Sequence, residues 1–128
     1  MMNIFGIGTD IVSIDRIKSS LKNKNFVNRI FNEKEISKCK KIKNSINCYA
    51  KRFAAKEAFS KALGTGIANG INFNEIVILN KKSGKPYINI IGQTKKILTK
   101  KFKRKKSKIS LSLSDEKKYA VAFVTISL

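Results

Sequence analysis

The 128-residue chain contains no histidine. This absence excludes a catalytic triad, a metal site built on imidazole and an imidazole general base. Acid and base chemistry would therefore fall to carboxylates, lysine, tyrosine or water. The two cysteines, Cys39 and Cys48, are too few for a disulfide scaffold and lack the paired spacing of a zinc site. We expect them to be small buried apolar residues.

Long apolar stretches are missing as well. No segment approaches the roughly 20 apolar residues that a membrane-spanning helix needs. The amino terminus reads as a strand from its start, with neither a basic segment nor a small-residue cleavage site. We therefore expect a cytoplasmic protein with no membrane partner.

Acidic residues are scarce, and the charge balance is strongly positive. The chain has 8 Asp and Glu against 28 Lys and Arg, a formal net charge of +20, which suggests an acidic partner. The charge alone is not decisive, because 24 of the 28 basic residues are lysine, as an AT-rich coding sequence would produce. Recognition of phosphate or guanine edges favours arginine instead. Length and apolar content predict one globular domain over residues 1–128.

Hydrophobic periodicity predicts a mixture of strands and helices. Strands are expected at 4–12, 73–79, 86–91, 109–114 and 119–127. Helices are expected from an N-cap at Ser13 to about Lys22, from Asn32, over Ser45–Leu63, and from Gln93 to about Phe102, with Gly64 as a left-handed C-cap. No regular βαβ rhythm connects them. The fold class is therefore α+β, a single domain with a mainly antiparallel sheet packed on one long and several short helices.

Two of the few acids stand among apolar residues. Asp10 lies within IFGIGTDIV, and Glu57 follows Phe53 by four residues, so it continues the apolar stripe of the long helix. Lys61 comes one further turn along that stripe. Burying a carboxylate costs roughly several kcal/mol unless a cation or hydrogen bonds satisfy it. Mg²⁺ would satisfy both acids, since it binds one or two carboxylates together with waters and phosphates. The alternative is that Glu57 pairs with Lys61 and Asp10 begins a turn.

A 16-residue segment, RFAAKEAFSKALGTGI at 52–67, closely resembles the signature of the holo-acyl-carrier-protein synthases. These are the short, trimeric class of 4'-phosphopantetheinyl transferases. Three further segments match in order, namely GIGTDIVSIDRI at 6–17, SGKPYI at 83–88 and SLSDEKKYAVAFV at 112–124. The resemblance covers essentially the whole chain, and it implies a 4'-phosphopantetheinyl transferase-like fold.

The resemblance also implies an activity. Members of the family transfer the phosphopantetheine arm of coenzyme A to a serine of apo acyl carrier protein, in support of fatty acid biosynthesis. They release adenosine 3',5'-bisphosphate, depend on Mg²⁺ and form homotrimers with active sites at subunit interfaces. By resemblance, Asp10 and Glu57 are metal ligands, and Glu57 and Lys61 are catalytic. We expect Glu57 to accept the serine proton, directly or through a metal-bound water, and Lys61 to offset the charge of the leaving group.

Further positions match residues that bind the two substrates. By resemblance, coenzyme A is lined by Arg52, Lys61, Gly64 and Pro86. Arg16 matches a basic residue that contacts the acidic carrier protein, and Lys22 adds charge to the same predicted helix.

Two other functions remain as alternatives. A nucleic-acid-binding module would explain the net charge of +20, but it would not explain two acids on apolar faces. It would also need aromatic residues exposed on a sheet, or arginines that reach into a groove. A catalytically inactive relative that only binds the carrier is disfavoured because Asp10, Glu57 and Lys61 are all retained. We therefore expect no nucleic acid partner.

Overall fold

A computed structural model describes residues 2–64 and 70–128. Within these ranges strands and helices alternate irregularly, and the predicted α+β class is confirmed. The elements are β1 (Ile4–Ser13), α1 (Ile14–Ser20), α2 (Lys24–Ile30), α3 (Glu33–Lys40), α4 (Ser45–Leu63), a 3₁₀ turn (Phe73–Glu75), β2 (Ile76–Asn80), β3 (Pro86–Ile90), α5 (Gly92–Lys101), β4 (Lys108–Asp115) and β5 (Tyr119–Ser127). None of the described helices combines the length and the apolar composition needed to cross a membrane.

The strands form two antiparallel sheets. One has the order β1–β5–β4 and the other is the hairpin β2–β3. Alternate residues of β5 face α4 and are fully buried, because a strand directs successive side chains to opposite faces of its sheet. These residues are Ala120, Ala122, Val124 and Ile126. The sheet is therefore covered by α4 on one face only.

The opposite side, which we call the outer sheet face, is exposed and largely uncharged. The pairing of β1 with β5 and of β5 with β4 places its residues side by side. Large apolar side chains stand on it in the open, with Ile11 64% and Phe123 45% exposed. The face consists of Ile7, Thr9, Ile11, Ser110, Ser112, Ser114, Tyr119, Val121, Phe123 and Thr125. Exposed apolar patches of this kind mark contact surfaces.

Helix α4 lies at the centre of the molecule and packs against β1 and β5. Two glycines in β1 allow the close approach of the two backbones. A Cβ atom added at Gly6 would collide with the carbonyl oxygen of Ala62, and one at Gly8 would collide with that of Ala58. The glycines therefore bring the backbone of β1 directly against α4. The predicted C-cap is confirmed, because Gly64 ends α4 in the left-handed region with φ +79°.

Two regions differ clearly from the sequence prediction. The predicted first helix ends at Ser20, and the unpredicted α2 follows because the Asn23 side chain caps its first turn through the backbone N–H groups of Asn25 and Phe26. The strand predicted at 73–79 begins only at Ile76, since Phe73–Glu75 form a 3₁₀ turn. The end of the signature segment, residues 65–67, lies outside the described residues.

The prediction for the cysteines was incomplete. Both are buried as expected, but they are bonded to each other, with Cα atoms 5.5 Å apart. The chain turns between α3 and α4, so the end of one helix and the start of the next face each other. That contact brings Cys39 and Cys48, nine residues apart, within bonding reach.

Candidate active site

An ion pair between β1 and α4 forms the centre of the candidate site. Asp10 follows Gly8 on the face of β1 that packs on α4. The Lys61 ammonium lies 3.2 Å from the Asp10 Oδ1 atom and donates to the Thr9 carbonyl oxygen at 3.0 Å. The Asp10 side chain is only 15% exposed, whereas that of Lys61 is 56% exposed. Lys61 comes one turn after Glu57 as the spacing predicts, but its stem follows the protein surface and its charged end reaches solvent.

Glu57 lies one turn before Lys61 and is half-buried. Burial raises the pKa of its carboxyl, the negative charge of Asp10 raises it further, and Lys61 opposes both effects. Burial also raises the pKa of Asp10, against the hydrogen bond and the charge of Lys61. The alternative in which Glu57 pairs with Lys61 and Asp10 begins a turn was therefore wrong. Lys61 pairs with Asp10, which lies within β1, and the two carboxyls are close enough to repel each other.

The donor set of this site fits a magnesium ion. Two partly desolvated carboxylates that repel each other would gain from a shared hard cation. Residues 2–64 and 70–128 hold no cluster of three or more His, Cys, Asp or Glu side chains able to bind a metal. A zinc or calcium cage needs more protein ligands than Asp10 and Glu57 supply. Mg²⁺ takes one or two carboxylates and completes its shell with waters and phosphates.

A second group of polar residues surrounds Arg52, which is only 4% exposed. Its Nη2 atom donates to Asn80 Oδ1 at 2.9 Å, and the Lys38 ammonium donates to the same oxygen. We call Arg52, Lys38 and Asn80 the Arg52 cluster. Burial lowers the pKa of Lys38, and the positive charges of Arg52 and Lys51 lower it further. The Arg52 Nε atom has no hydrogen-bond partner among the described residues. The cluster therefore concentrates positive charge that an anion would neutralise.

The two groups of predicted site residues lie apart in one chain. Arg52 and Lys61 are nine residues apart in α4, which corresponds to about two and a half turns and about 13 Å along the axis. Their side chains consequently leave opposite sides of the helix. Gly64 ends the helix beside Lys61, through a hydrogen bond from its N–H to the Lys61 carbonyl oxygen at 3.0 Å. Pro86 lies with Arg52, because it pairs with Asn80 across the β2–β3 hairpin.

The predicted carrier-binding residues lie at a third place. Arg16 is an exposed residue of α1, and the exposed Lys22 follows the end of that helix. No described acid forms an ion pair with either side chain. Their charges are therefore available to a partner.

Sequence reasoning missed the buried residue that precedes Glu57. Lys56 is fully buried, and its ammonium donates to Glu35 Oε1 at 2.7 Å, to the Phe73 carbonyl oxygen at 2.8 Å and to the Ile76 carbonyl oxygen at 2.7 Å. In the sequence, Glu35 stands three residues after Asn32, which is the spacing of a capping box. That spacing indicates where a helix starts, but it does not show that Glu35 is buried. Lys56 and Glu35 join α4 to α3 and β2 immediately beside the candidate metal ligand.

Comparison with known proteins identifies the family. The family described as the 4'-phosphopantetheinyl transferase superfamily matches residues 6–124. A holo-[acyl-carrier-protein] synthase from Pelagibacter ubique (strain HTCC1062) is 52% identical over 125 residues, which cover 98% of each chain. The chain belongs to the 4'-phosphopantetheinyl transferase superfamily.

Solved structures of the superfamily share the fold. A holo-[acyl-carrier-protein] synthase from Neisseria meningitidis superposes with a TM-score of 0.85 at 40% identity, covering 97% of this chain and 98% of that one. The enzyme from Bacillus anthracis str. Ames, in complex with CoA (3',5'-ADP), has a TM-score of 0.80 at 36% identity and covers 99% and 98%. The predicted family resemblance and fold are therefore confirmed.

Proposed function

We propose that this protein, as one domain over residues 1–128, is a Mg²⁺-dependent holo-[acyl-carrier-protein] synthase. It transfers the 4'-phosphopantetheine group of coenzyme A to a serine of apo acyl carrier protein and releases adenosine 3',5'-bisphosphate. The observation that carries this proposal is the pair of desolvated carboxylates, Asp10 and Glu57, beside the Lys61 ammonium in a chain of this superfamily. We place the reaction in the cytoplasm, in support of fatty acid biosynthesis.

Asp10 and Glu57 would hold the magnesium ion. When bound, the ion polarises the phosphoryl group and neutralises part of the charge of the diphosphate. Lys61 is exposed and joined to Asp10 by an ion pair at the surface, so its side chain can turn to a phosphate at little cost. There it offsets the negative charge that develops on the leaving bisphosphate.

Glu57 is the proposed general base for the carrier serine. A carboxylate becomes a better proton acceptor as its pKa rises towards the operating pH. In the metal-free protein, burial and the neighbouring charge of Asp10 both raise the pKa of Glu57, whereas a bound Mg²⁺ would lower it. The serine proton passes to Glu57 directly or through a water. Since the chain has no histidine, no imidazole competes for this role.

We propose that the active form is a homotrimer with its sites at subunit interfaces. The outer sheet face supports this assembly, because exposed side chains such as Ile11 and Phe123 would be buried by another copy. The centre of this face carries no charged residue, so a nucleic acid would meet no cation there. Arg52 and Lys61 leave opposite sides of α4, which favours a coenzyme A site shared between two copies.

We propose that Arg16 and Lys22 bind the acidic surface of the carrier protein, since both are exposed and free of ion pairs among the described residues. Reversal of both charges should raise the KM for the carrier much more than the KM for coenzyme A. The matched control is charge reversal at Lys96 and Lys100, two exposed residues of α5 to which no role is assigned. Equal increases in both KM values would contradict this assignment.

The first experiment is a mass spectrum of apo acyl carrier protein after incubation with the protein, coenzyme A and Mg²⁺, beside an EDTA sample. A gain of one phosphopantetheine unit only with Mg²⁺ would support both the reaction and its metal dependence. The Glu57→Gln variant should give no gain, whereas Glu33→Gln, a change at an exposed acid of α3, should behave as wild type. No gain with several carriers would contradict the proposal, and nucleic acid binding across a salt series would then test the alternative.

Metal binding has a readout that does not depend on activity. Mg²⁺ should raise the Tm of the wild type, because a ligand that binds only the folded state stabilises it. It should leave the Tm of Glu57→Gln nearly unchanged. A similar Mg²⁺-dependent increase in both proteins would remove Glu57 from the metal site.

Subunit mixing tests the interface site. Arg52→Ala and Glu57→Gln should each abolish most transfer when assayed alone. If these residues meet only between copies, mixed trimers of the two variants would contain interfaces with both residues intact and would regain part of the activity. Failure to regain activity after verified subunit exchange would place both residues in one chain's site.

A further inference from the structure

We propose that the Cys39–Cys48 disulfide is a positioning group for Arg52, so that its reduction weakens coenzyme A binding. This inference rests on the proposed function, which places Arg52 at the coenzyme A site. The cysteines thereby act through Arg52 and do not touch the substrate themselves.

The first link is direct contact between the disulfide and the guanidinium. The Nη1 atom of Arg52 lies 3.2 Å from Cys48 Sγ and donates to the Cys48 carbonyl oxygen, also at 3.2 Å. Cys48 precedes Arg52 by four residues, so both side chains lie on the same side of α4. The Nη2 atom is held separately by Asn80. Cys48 therefore fixes one edge of the guanidinium plane, and Asn80 fixes the other.

The second link runs through α3. Lys38 directly precedes Cys39, and its ammonium donates to the same Asn80 Oδ1 atom that accepts from Arg52. The disulfide joins the end of α3 to the start of α4, and these are the helices that carry the two cations. Like charges repel, so the shared oxygen and the covalent link keep Lys38 and Arg52 together in the absence of an anion. The oxidised protein is therefore preorganised to receive one.

Reduction by a dithiol would loosen this arrangement. One thiolate of the reductant attacks a sulfur of the disulfide and forms a mixed disulfide, and its second thiol then displaces the protein sulfur. Cys39 and Cys48 gain two electrons and two protons, and the reductant leaves as a cyclic disulfide. The two free thiols must then separate to van der Waals distance inside the core, where both are buried. The end of α3 and the edge of Arg52 both shift as a result.

The proposed cytoplasmic location bears on whether this disulfide is reduced. Disulfides in the cytosol, when present, are commonly transient and redox-sensing. A disulfide that contacts a substrate-binding arginine would make coenzyme A affinity depend on the thiol–disulfide redox potential of the cytoplasm.

The test compares steady-state kinetics of the oxidised protein with those of the protein reduced by dithiothreitol, with the thiol count verified after denaturation. Reduction should raise the KM for coenzyme A about fivefold to tenfold, as expected when a charge-assisted hydrogen bond is weakened. The KM for the carrier and kcat should stay unchanged. Cys39→Ser should show the raised KM with and without dithiothreitol. Arg52→Lys should show a raised KM that no longer responds to reduction.

The possible outcomes separate this inference from the proposed function. Equal KM values for coenzyme A in both redox states, with transfer intact, would overturn the role of the disulfide and leave the proposed function standing. A general loss of kcat and of both substrate affinities on reduction, with a lower Tm, would show loosening of the whole fold and would also overturn it. No transfer in either state would contradict the proposed function itself.

Discussion

Replacement of Lys56 by methionine removes one charge from the buried ion pair that joins α4 to α3 and β2. Lys56 and Glu35 are both fully buried, and all three protons of the ammonium are donated to acceptors within 2.8 Å. Methionine retains most of the length of the side chain without its charge. The change therefore isolates the electrostatic and hydrogen-bonding contribution from the contribution of packing.

The expected loss in the free energy of unfolding follows from the polar groups that Lys56→Met leaves without a partner in the core. Glu35 would still accept from the backbone N–H groups of Asn32 and Ile78, but it would have no cation. The carbonyl oxygens of Phe73 and Ile76 would lose their shared donor. Breaking a buried ion pair by removing one partner costs about 3–5 kcal/mol. Because natural domains have free energies of unfolding of about 5–15 kcal/mol, Lys56→Met should be severely destabilised.

The assay is guanidinium unfolding followed by circular dichroism at one fixed protein concentration, because self-association would add to the apparent stability. Glu35→Gln and the double variant complete a thermodynamic cycle. The double variant should be more stable than the sum of the single losses predicts, by about 1 kcal/mol or more, since it holds no unpaired buried charge. If Lys56→Met does not fold, the free energy of unfolding of Glu35→Gln still measures the cost of removing one partner of this ion pair.

Lys51→Met is the matched control on the same helix. Lys51 pairs with Asp115 at 3.6 Å on the surface, so its loss should cost less than about 1 kcal/mol. The reasoning would be refuted if Lys56→Met cost no more than this control. Additivity of the two core substitutions to within about 0.5 kcal/mol would refute it equally.

Three further predictions concern single residues. Lys61→Met should lower kcat about a hundredfold or more. The variant should nevertheless bind Mg²⁺ more tightly than the wild type, because Asp10 loses a competing cation, so half of the Mg²⁺-dependent Tm increase should be reached at a lower Mg²⁺ concentration. A higher Mg²⁺ concentration at this midpoint would contradict the prediction. Burial opposes ionisation of Glu75, but hydrogen bonds from Asn72, Thr94 and Gln93 outweigh it and hold its pKa below the ordinary 4.5. Glu75→Ala should therefore cost about 1–2 kcal/mol at neutral pH, and a denaturation series should show this difference becoming smaller as the pH falls below 4.5. Lys103 occupies the left-handed region at φ 52°, so Lys103→Gly should raise the free energy of unfolding by up to about 1 kcal/mol in the same assay, whereas Lys105→Gly should not.

The fold was predictable where periodicity determines it. The alternation in β5 and the long apolar repeat of α4 persist over many residues, so single deviations do not obscure them. The errors fall where one polar side chain decides the local backbone. Asn23 starts α2, and Glu75 turns towards the first N–H groups of α5. Such side-chain contacts with the backbone depend on tertiary packing and leave little trace in hydrophobic spacing.

The residues of the candidate site, Asp10, Glu57 and Lys61, were predictable, whereas the burial of the neighbouring lysine was not. Asp10 and Glu57 stood out because carboxylates are rare among apolar residues. Lys56 and Lys61 differ by five residues on one helix, and nothing in their spacing shows that the first is fully buried and the second exposed. The difference arises because Lys56 pairs with the buried carboxylate of Glu35, which belongs to another helix.

Functional residues that are close together in the signature at 52–67 lie on different sides of the folded protein. Its helical part, up to Leu63, makes about three turns, so residues that are close in sequence leave α4 in different directions. Arg52 faces the β2–β3 hairpin through Asn80, whereas Glu57 and Lys61 lie on the side of β1 and Asp10. One helix therefore provides two chemically distinct surfaces, a cationic one and a carboxylate one. In the proposed homotrimer, the carboxylate surface of one copy set against the cationic surface of the next would complete a coenzyme A site from a single motif used twice.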